Sequence, residues 1–271
     1  MTPHSVADLT ERVLRGDFGT AQAEVSVGFL TQQGVRHAAR ERSYRNHVLS
    51  LRVEDAVGSC AVEPGELESG ALSDEAVLDC VGAPIRELLR HPLLPVRTAA
   101  LDAYLQWLRP HRHHAEEVVI GRGNSLQKSL HRAESVVDLL PVEPGERVLV
   151  IGVVNSLLHH LRERGNGYIA CDYKGGETEW GEPVTSDALA ALADCDAVLA
   201  SGMVVGNATF QPLLDHARAT GKPLVMFAQS ASGILPCFLG SGVTAISAEP
   251  YPFFWLDGGP SVLYRYRSGV R

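Results

Sequence analysis

From residue 147 onward the chain alternates short apolar runs with helical spacings, and this pattern constrains the fold more than any other feature. The runs 147–152, 168–172, 197–201, 223–228 and 243–248 are each bounded by turn residues. Strands buried on both faces read this way. Between them, residues 156–164, 187–193, 210–219 and 235–239 have helical character. Strict alternation of strand and helix, with right-handed crossovers, implies an open doubly wound sheet. An edge strand is expected over 262–267, after a turn-rich stretch.

The first half reads differently. Residues 5–15 place Val6, Leu9, Val13 and Leu14 on one helical face. Residues 24–30, 47–53 and 57–62 alternate as strands do, and an arginine-rich polar segment precedes the second of them. Residues 64–73 are loop-like; 79–89 and the alanine-dense 95–108 have helical spacing. Strands followed by helices suggest an α+β unit. Proline, glycine and histidines mark 109–123 as linker, and 124–140 as a helix that stops before Pro141. The expected organisation is an α/β chain: a smaller α+β domain at 1–115, a linker with connecting helix at 116–140, and a Rossmann-like, mostly parallel domain at 141–271.

Composition narrows the function classes. The 271 residues carry a formal charge of -8 without a basic face, so nucleic acid is not an expected partner. No run of about 18 apolar residues is present, so no membrane span is expected. The N-terminal stretch lacks the apolar core of a signal peptide. Five widely spaced cysteines, none in a CxxC pair, argue against a disulfide framework or structural zinc and for a reducing cytoplasm. A small-molecule ligand is the expected partner, with a homodimer left open.

In doubly wound sheets ligands bind beyond the carboxyl ends of the strands. Five loops converge there: 152–156, 172–176, 201–207, 229–233 and 249–255. They offer Gly152, Asn155, Ser201, Gly202, Asn207, Gln229, Ser230 and Tyr251 as ligand contacts, and Asp172 and Glu249 as acid or base. Polar, glycine-bearing loops are also what any such sheet carries. Asp172 follows Gly152 by twenty positions, the offset at which an acid accepts ribose hydroxyls; a simple strand-end acid is the alternative. The turn itself reads Gly-Val-Val-Asn-Ser, without the repeated glycines a pyrophosphate needs. NAD or FAD is therefore less expected than an adenosyl ligand without phosphates, such as S-adenosylmethionine. Residues 179–183 suit a lid, and the aromatic run 251–255 suits core with one or two rings left for a ligand wall.

His111, His113 and His114, followed by Glu116 and Glu117, form a second cluster. On an extended segment His111 and His113 point to one side, where a divalent metal is conceivable; a solvated loop is the bland alternative. Lys128 and Arg132 stand four apart on one helix face, set either toward a carboxylate or phosphate or, more commonly, toward solvent.

The runs LLPVEPGERVLVIGVV, CDAVLASGMVVGNATFQPLLDHAR and LPCFLGSGVTAISAEP, with VGSCAVEPGE and GAPIRELLRHPLLPVRTAALDAYL in the first half, resemble the heavy-metal chelation family. The match falls on Gly206, Asn207 and Thr209, and on Leu235, Pro236 and Gly242. The resemblance implies a Rossmann-like C-terminal domain behind a small domain similar to the capping domain of enolases. It also implies metal handling, without a ligand motif to carry over, and a setting in bacterial, including specialised, metabolism.

Three readings follow. The first is an enzyme of small-metabolite biosynthesis with its ligand between the two domains. The second is a metal-binding or metallophore-related protein. The third is a silent partner protein whose cleft is filled by its own 251–255 run.

Overall fold

The structure is a computed structural model and describes residues 2–36 and 43–269. Helix α1 (Val6–Arg15) is followed by strands β1 (Val25–Arg36), β2 (Ser43–Val53) and β3 (Ala56–Val62). Short helices α2 (Pro64–Glu68), α3 (Asp74–Leu78) and α4 (Ile85–Leu88) lead to α5 (Leu94–Leu108). After a 3-10 turn at His111–His113 come β4 (Glu116–Ile120), α6 (Ser125–Val137), β5 (Arg147–Ile151), α7 (Asn155–Glu163) and β6 (Gly167–Cys171). Then follow α8 (Ala188–Ala191), β7 (Ala197–Ser201), α9 (Met203–Gly206), α10 (Phe210–Thr220), β8 (Leu224–Ala228), β9 (Ala245–Ala248) and β10 (Ser261–Arg267).

Strands β1 to β3 form an antiparallel sheet. The other seven lie in the order β4-β10-β9-β8-β7-β5-β6. The five strands β5 to β9 are parallel, as the alternating pattern requires, and β10 runs antiparallel to both of its neighbours. The parallel part has β5 flanked by β6 on one side and β7 on the other. Its crossovers therefore diverge at β5 and β7, which makes this the topological switch point.

Side-chain alternation along the strands assigns the two faces. Val148, Val150, Ala197, Leu199, Val225 and Phe227 pack with Val136 and Val137 of α6 and Leu157, Leu158 and Leu161 of α7. Leu149, Val198, Ala200, Met226 and Ile246 point the other way, into a core shared with α10, α5 and the antiparallel sheet. The N-terminal unit thus covers one face of the large sheet through a continuous core. At the contact Gly206 lies so close to Cys60 that an added Cβ would stand 2.6 Å from its Sγ.

Several expectations are corrected. Residues 109–123 are not simply linker: 116–120 form the edge strand β4, whose only strand partner among the described residues, β10, is 140 residues further on. For the same reason β10 is not an edge strand but lies between β9 and β4. Of the helix expected over 79–89 only α4 forms, with α3 ending before it at Leu78, since Gly82 has φ +83° and Pro84 sits at the N-cap of α4. The loop expected at 64–73 opens with α2, entered through proline. The arginine-rich segment lies partly outside the described residues; its described parts extend β1 and β2.

Candidate functional site

A cavity of about 610 Å³ opens beyond the carboxyl ends of β5, β6 and β7. Its walls combine the switch-point loops with Val35 of β1, Asn46 of β2 and Glu63, so both parts of the chain enclose it. Of the ten acid and ligand-contact residues expected from sequence, Gly152, Asn155, Asp172, Ser201 and Asn207 line it. Much of the rest of the lining is apolar, with Ile151, Met203, Val204, Leu213, Phe227 and Trp255 among its residues.

Gly152 has φ +85°, and an added Cβ would lie 2.8 Å from Ser201 Cβ. Its glycine is thus needed for backbone shape and for the close approach of the β5 and β7 ends. Its N–H donates to the Cys171 carbonyl at 2.9 Å. Asp172 closes the next link: Oδ2 accepts Val153 N–H at 3.2 Å and Oδ1 accepts Lys174 N–H at 3.1 Å. One carboxylate thereby fixes the first two strand-end loops together. Asn155 is buried at the first turn of α7. The Asn207 side chain accepts from Thr209 Oγ1 at 2.6 Å and Thr209 N–H at 3.3 Å, which makes the Asn-Ala-Thr element a local turn lock. Ser201 Oγ accepts Met203 N–H at 3.3 Å.

The remaining expected residues stand elsewhere. Glu249 is not in the cavity wall. It is buried and paired with Arg132 at 2.8 Å, with Ser247 and Gln229 also donating to it. A carboxylate so fully engaged is a structural anchor, and Gln229 belongs to the same network. The Arg132 guanidinium also lies over the Phe227 ring at 4.8 Å. Ser230 Oγ accepts Ala61 N–H at 2.7 Å and so joins the β8 loop to β3. Gly202 lets that loop approach: its Cβ would fall 2.1 Å from the Ser230 carbonyl. Tyr251 packs edge-on against Phe29 of β1 at 5.2 Å. Within the aromatic run Phe253 and Phe254 are core, while Trp255 reaches the cavity.

The histidine expectation is corrected by local geometry. Residues 111–113 form a 3-10 turn, three residues per turn, so His111 and His113 do not share a side. His111 is buried; Nδ1 lies 2.8 Å from Tyr266 Oη, the ring stacks on Tyr264, and burial lowers its pKa to about 4. His113 is exposed. Among the described residues no group of three or more His, Cys, Asp or Glu side chains is placed to hold a metal ion. The described residues therefore offer no assembled donor set for the metal implied by the family's description. The solvated face expected for Lys128 and Arg132 is also absent. Lys128 is buried and donates to the Asp257 carbonyl and Ser261 Oγ at 3.1 and 2.9 Å, tying α6 to the loop before β10.

Sequence reasoning missed Asp102, a carboxylate inside the alanine-dense helix α5. It is fully buried and accepts N–H from Ser59, Gly233 and the Gln106 side chain at 2.9, 2.6 and 2.9 Å. Burial outweighs these bonds and pushes its pKa up to about 7. The signal was present: a lone acid between Leu101 and Ala103 at apolar helix positions. Cys171 is the last residue of β6. It lines the cavity, and burial followed by the charges of Asp172 and Asp187 raises it to about 11. It is a protonated thiol at neutral pH, not a ready nucleophile.

Fold and cavity together define an α/β protein with a Rossmann-like parallel sheet and a ligand-sized space at its switch point. Residues 135–249 match the family model described as "DUF364: Putative heavy-metal chelation", the family that the sequence elements resemble. Two solved structures share the fold. One is a protein with unknown function from the DUF364 family of Desulfitobacterium hafniense DCB-2; it is 15% identical, with 89% of this chain and 84% of that chain covered and a TM-score of 0.55. The other is a DUF364 protein with unknown function from Pyrococcus horikoshii; it is 17% identical, with 88% and 86% covered and a TM-score of 0.55. No curated protein matches the chain. Among the described residues no helix is long and apolar enough to cross a membrane.

Proposed function

We propose that this chain is a small-metabolite-binding enzyme of cytoplasmic biosynthetic metabolism whose ligand occupies the switch-point cavity. The carrying observation is the cavity itself: about 610 Å³, enclosed by both parts of the chain and lined by five of the expected residues. Pockets of about 300–1,000 Å³ with an apolar lining and a few polar groups suit metabolite-sized organic molecules. An adenosyl ligand of the S-adenosylmethionine type fits the chemistry offered: an acid at the end of β6, apolar and aromatic lining residues, and a first turn without a phosphate cradle. Asp172 retains lone pairs beyond the two N–H bonds it accepts, so it can orient hydroxyl or amino groups.

The metal-handling reading has the family's description in its favour and lacks an assembled donor set among the described residues. The silent-partner reading requires the 251–255 run to fill the cavity. Trp255 instead forms part of its wall, and Tyr251 packs against Phe29.

The test is native mass spectrometry of the purified protein with elemental analysis, repeated on Asp172→Ala and on Leu189→Trp at the exposed mouth. The expected result is a stoichiometric organic mass in the unmodified protein, lost in both variants while thermal melting remains cooperative. A stoichiometric metal without an organic mass would move the assignment to metal handling.

A further inference from the structure

The polar chemistry of the cavity has a sign. Its wall carries Glu63, Asp172, Glu177 and Asp187 against one cation among the described residues, the exposed Lys174. Asp172 and Asp187 both act on Cys171, which places two carboxylates beside one stretch of wall. Two backbone donors of the turn after β5 are already taken. Gly152 N–H is held by Cys171 O, and Val153 N–H by Asp172 itself. Where phosphate-binding turns of this fold direct amides at an anion, this turn presents a carboxylate. The lining also includes the aromatic side chains of Phe227 and Trp255.

We propose that the cavity selects an organic cation: a protonated amine or a sulfonium on a flat or apolar body, with its charge set against Asp172 and Asp187 and its body against Phe227 and Trp255. This rests on the ligand-binding reading above and adds the charge of the ligand to it. Phosphorylated nucleotides would meet these carboxylates as like charges. Each acid also does local structural work. Asp187 caps α8 by accepting Ala190 N–H at 3.0 Å, and Asp172 spans its two loops.

The test uses body-matched probes that differ in charge. S-adenosylmethionine and S-adenosylhomocysteine differ by one methyl group and one positive charge; AMP supplies the adenosine body as an anion. Tryptamine and indole-3-acetate form a second matched pair that does not depend on an adenosyl group. Affinities are read by calorimetry and thermal shift on the full chain. The expected result is a preference of roughly tenfold or more for the cation of each pair, the scale of one added charge–charge contact near a protein surface. That preference should shrink several-fold in Asp187→Asn, which preserves the helix cap and removes the charge. Equal or tighter binding of the neutral or anionic member overturns the charge assignment and leaves the ligand-binding reading standing. Absence of binding by every probe overturns the cation assignment, and the mass measurement above then decides the ligand-binding reading on its own.

Discussion

The carboxylate of Asp102 accepts the Gly233 amide at 2.6 Å across 131 residues of sequence. It joins helix α5 of the N-terminal unit to the loop that follows β8. The neighbouring bonds Ala61 N–H to Ser230 Oγ and Ala231 N–H to the Ser59 carbonyl continue the seam along β3. Replacing Asp102 by Ala leaves the buried Ser59 and Gly233 amides without an acceptor, and the Gln106 side chain with only the Val57 carbonyl. At about 1–3 kcal/mol for each such group, and with less than full additivity, the expected loss is roughly 3–5 kcal/mol. The urea midpoint measures it, and a loss under about 1 kcal/mol would mean that the seam does not depend on this residue.

The same carboxylate gives stability a pH dependence of defined sign. Its folded pKa is raised from 3.8 to about 7 by burial. Between those values the folded chain holds a proton that the unfolded chain releases, so rising pH favours unfolding. The stabilisation is complete below the unfolded pKa and is lost as pH passes 7. Melting temperature, followed from pH 4 to 8, should therefore decline more steeply in the unmodified protein than in Asp102→Asn. Parallel curves would assign the pH dependence to other groups.

Arg132 and Glu249 form a buried ion pair at 2.8 Å. Glu249→Gln leaves a guanidinium without its counter-charge and is expected to cost about 3–5 kcal/mol. The double replacement Arg132→Met with Glu249→Leu should cost clearly less than the sum of the two single changes. A double-mutant cycle by chemical denaturation reads this directly; additive effects would show that the pair is not coupled.

Gly152→Ala imposes a Cβ on a residue at φ +85° and drives it toward Ser201. A cost of about 1–2 kcal/mol is expected. Because Val153 and Asp172 hang from this turn, ligand affinity should fall as well. Calorimetry with the ligand identified by mass spectrometry checks it; unchanged affinity would detach the turn from the site.

What the sequence made legible follows from the range of the forces involved. The parallel strands announced themselves because 148, 150, 197 and 199 face one core and 149, 198 and 200 the other, so each run had to be apolar throughout. The cavity position followed from strand polarity alone. Strand β4 was hidden because its pairing with β10 is a long-range choice, and the segment 116–120 carries two glutamates at an exposed edge. Glu249 and Lys128 misled for a related reason. A charged residue in a loop or on a helix reads as solvent-facing unless its partner is known, and Arg132 and the 257–261 loop are distant in sequence. The histidine cluster failed on backbone shape: an extended segment was assumed where Pro110 introduces a 3-10 turn.

The sheet order sets a timetable for synthesis on the ribosome. Strand β4 pairs only with β10 among the described strands, and about 140 residues separate the end of one from the start of the other. At usual elongation rates β4 emerges on the order of ten seconds before its partner exists. All five parallel strands can assemble in that interval, but the sheet cannot be finished at its β4 side. The paired glutamates Glu116 and Glu117, of which Glu116 later meets Arg265, keep that waiting strand charged, and charge on an unpaired strand is what prevents it from joining a neighbouring nascent chain.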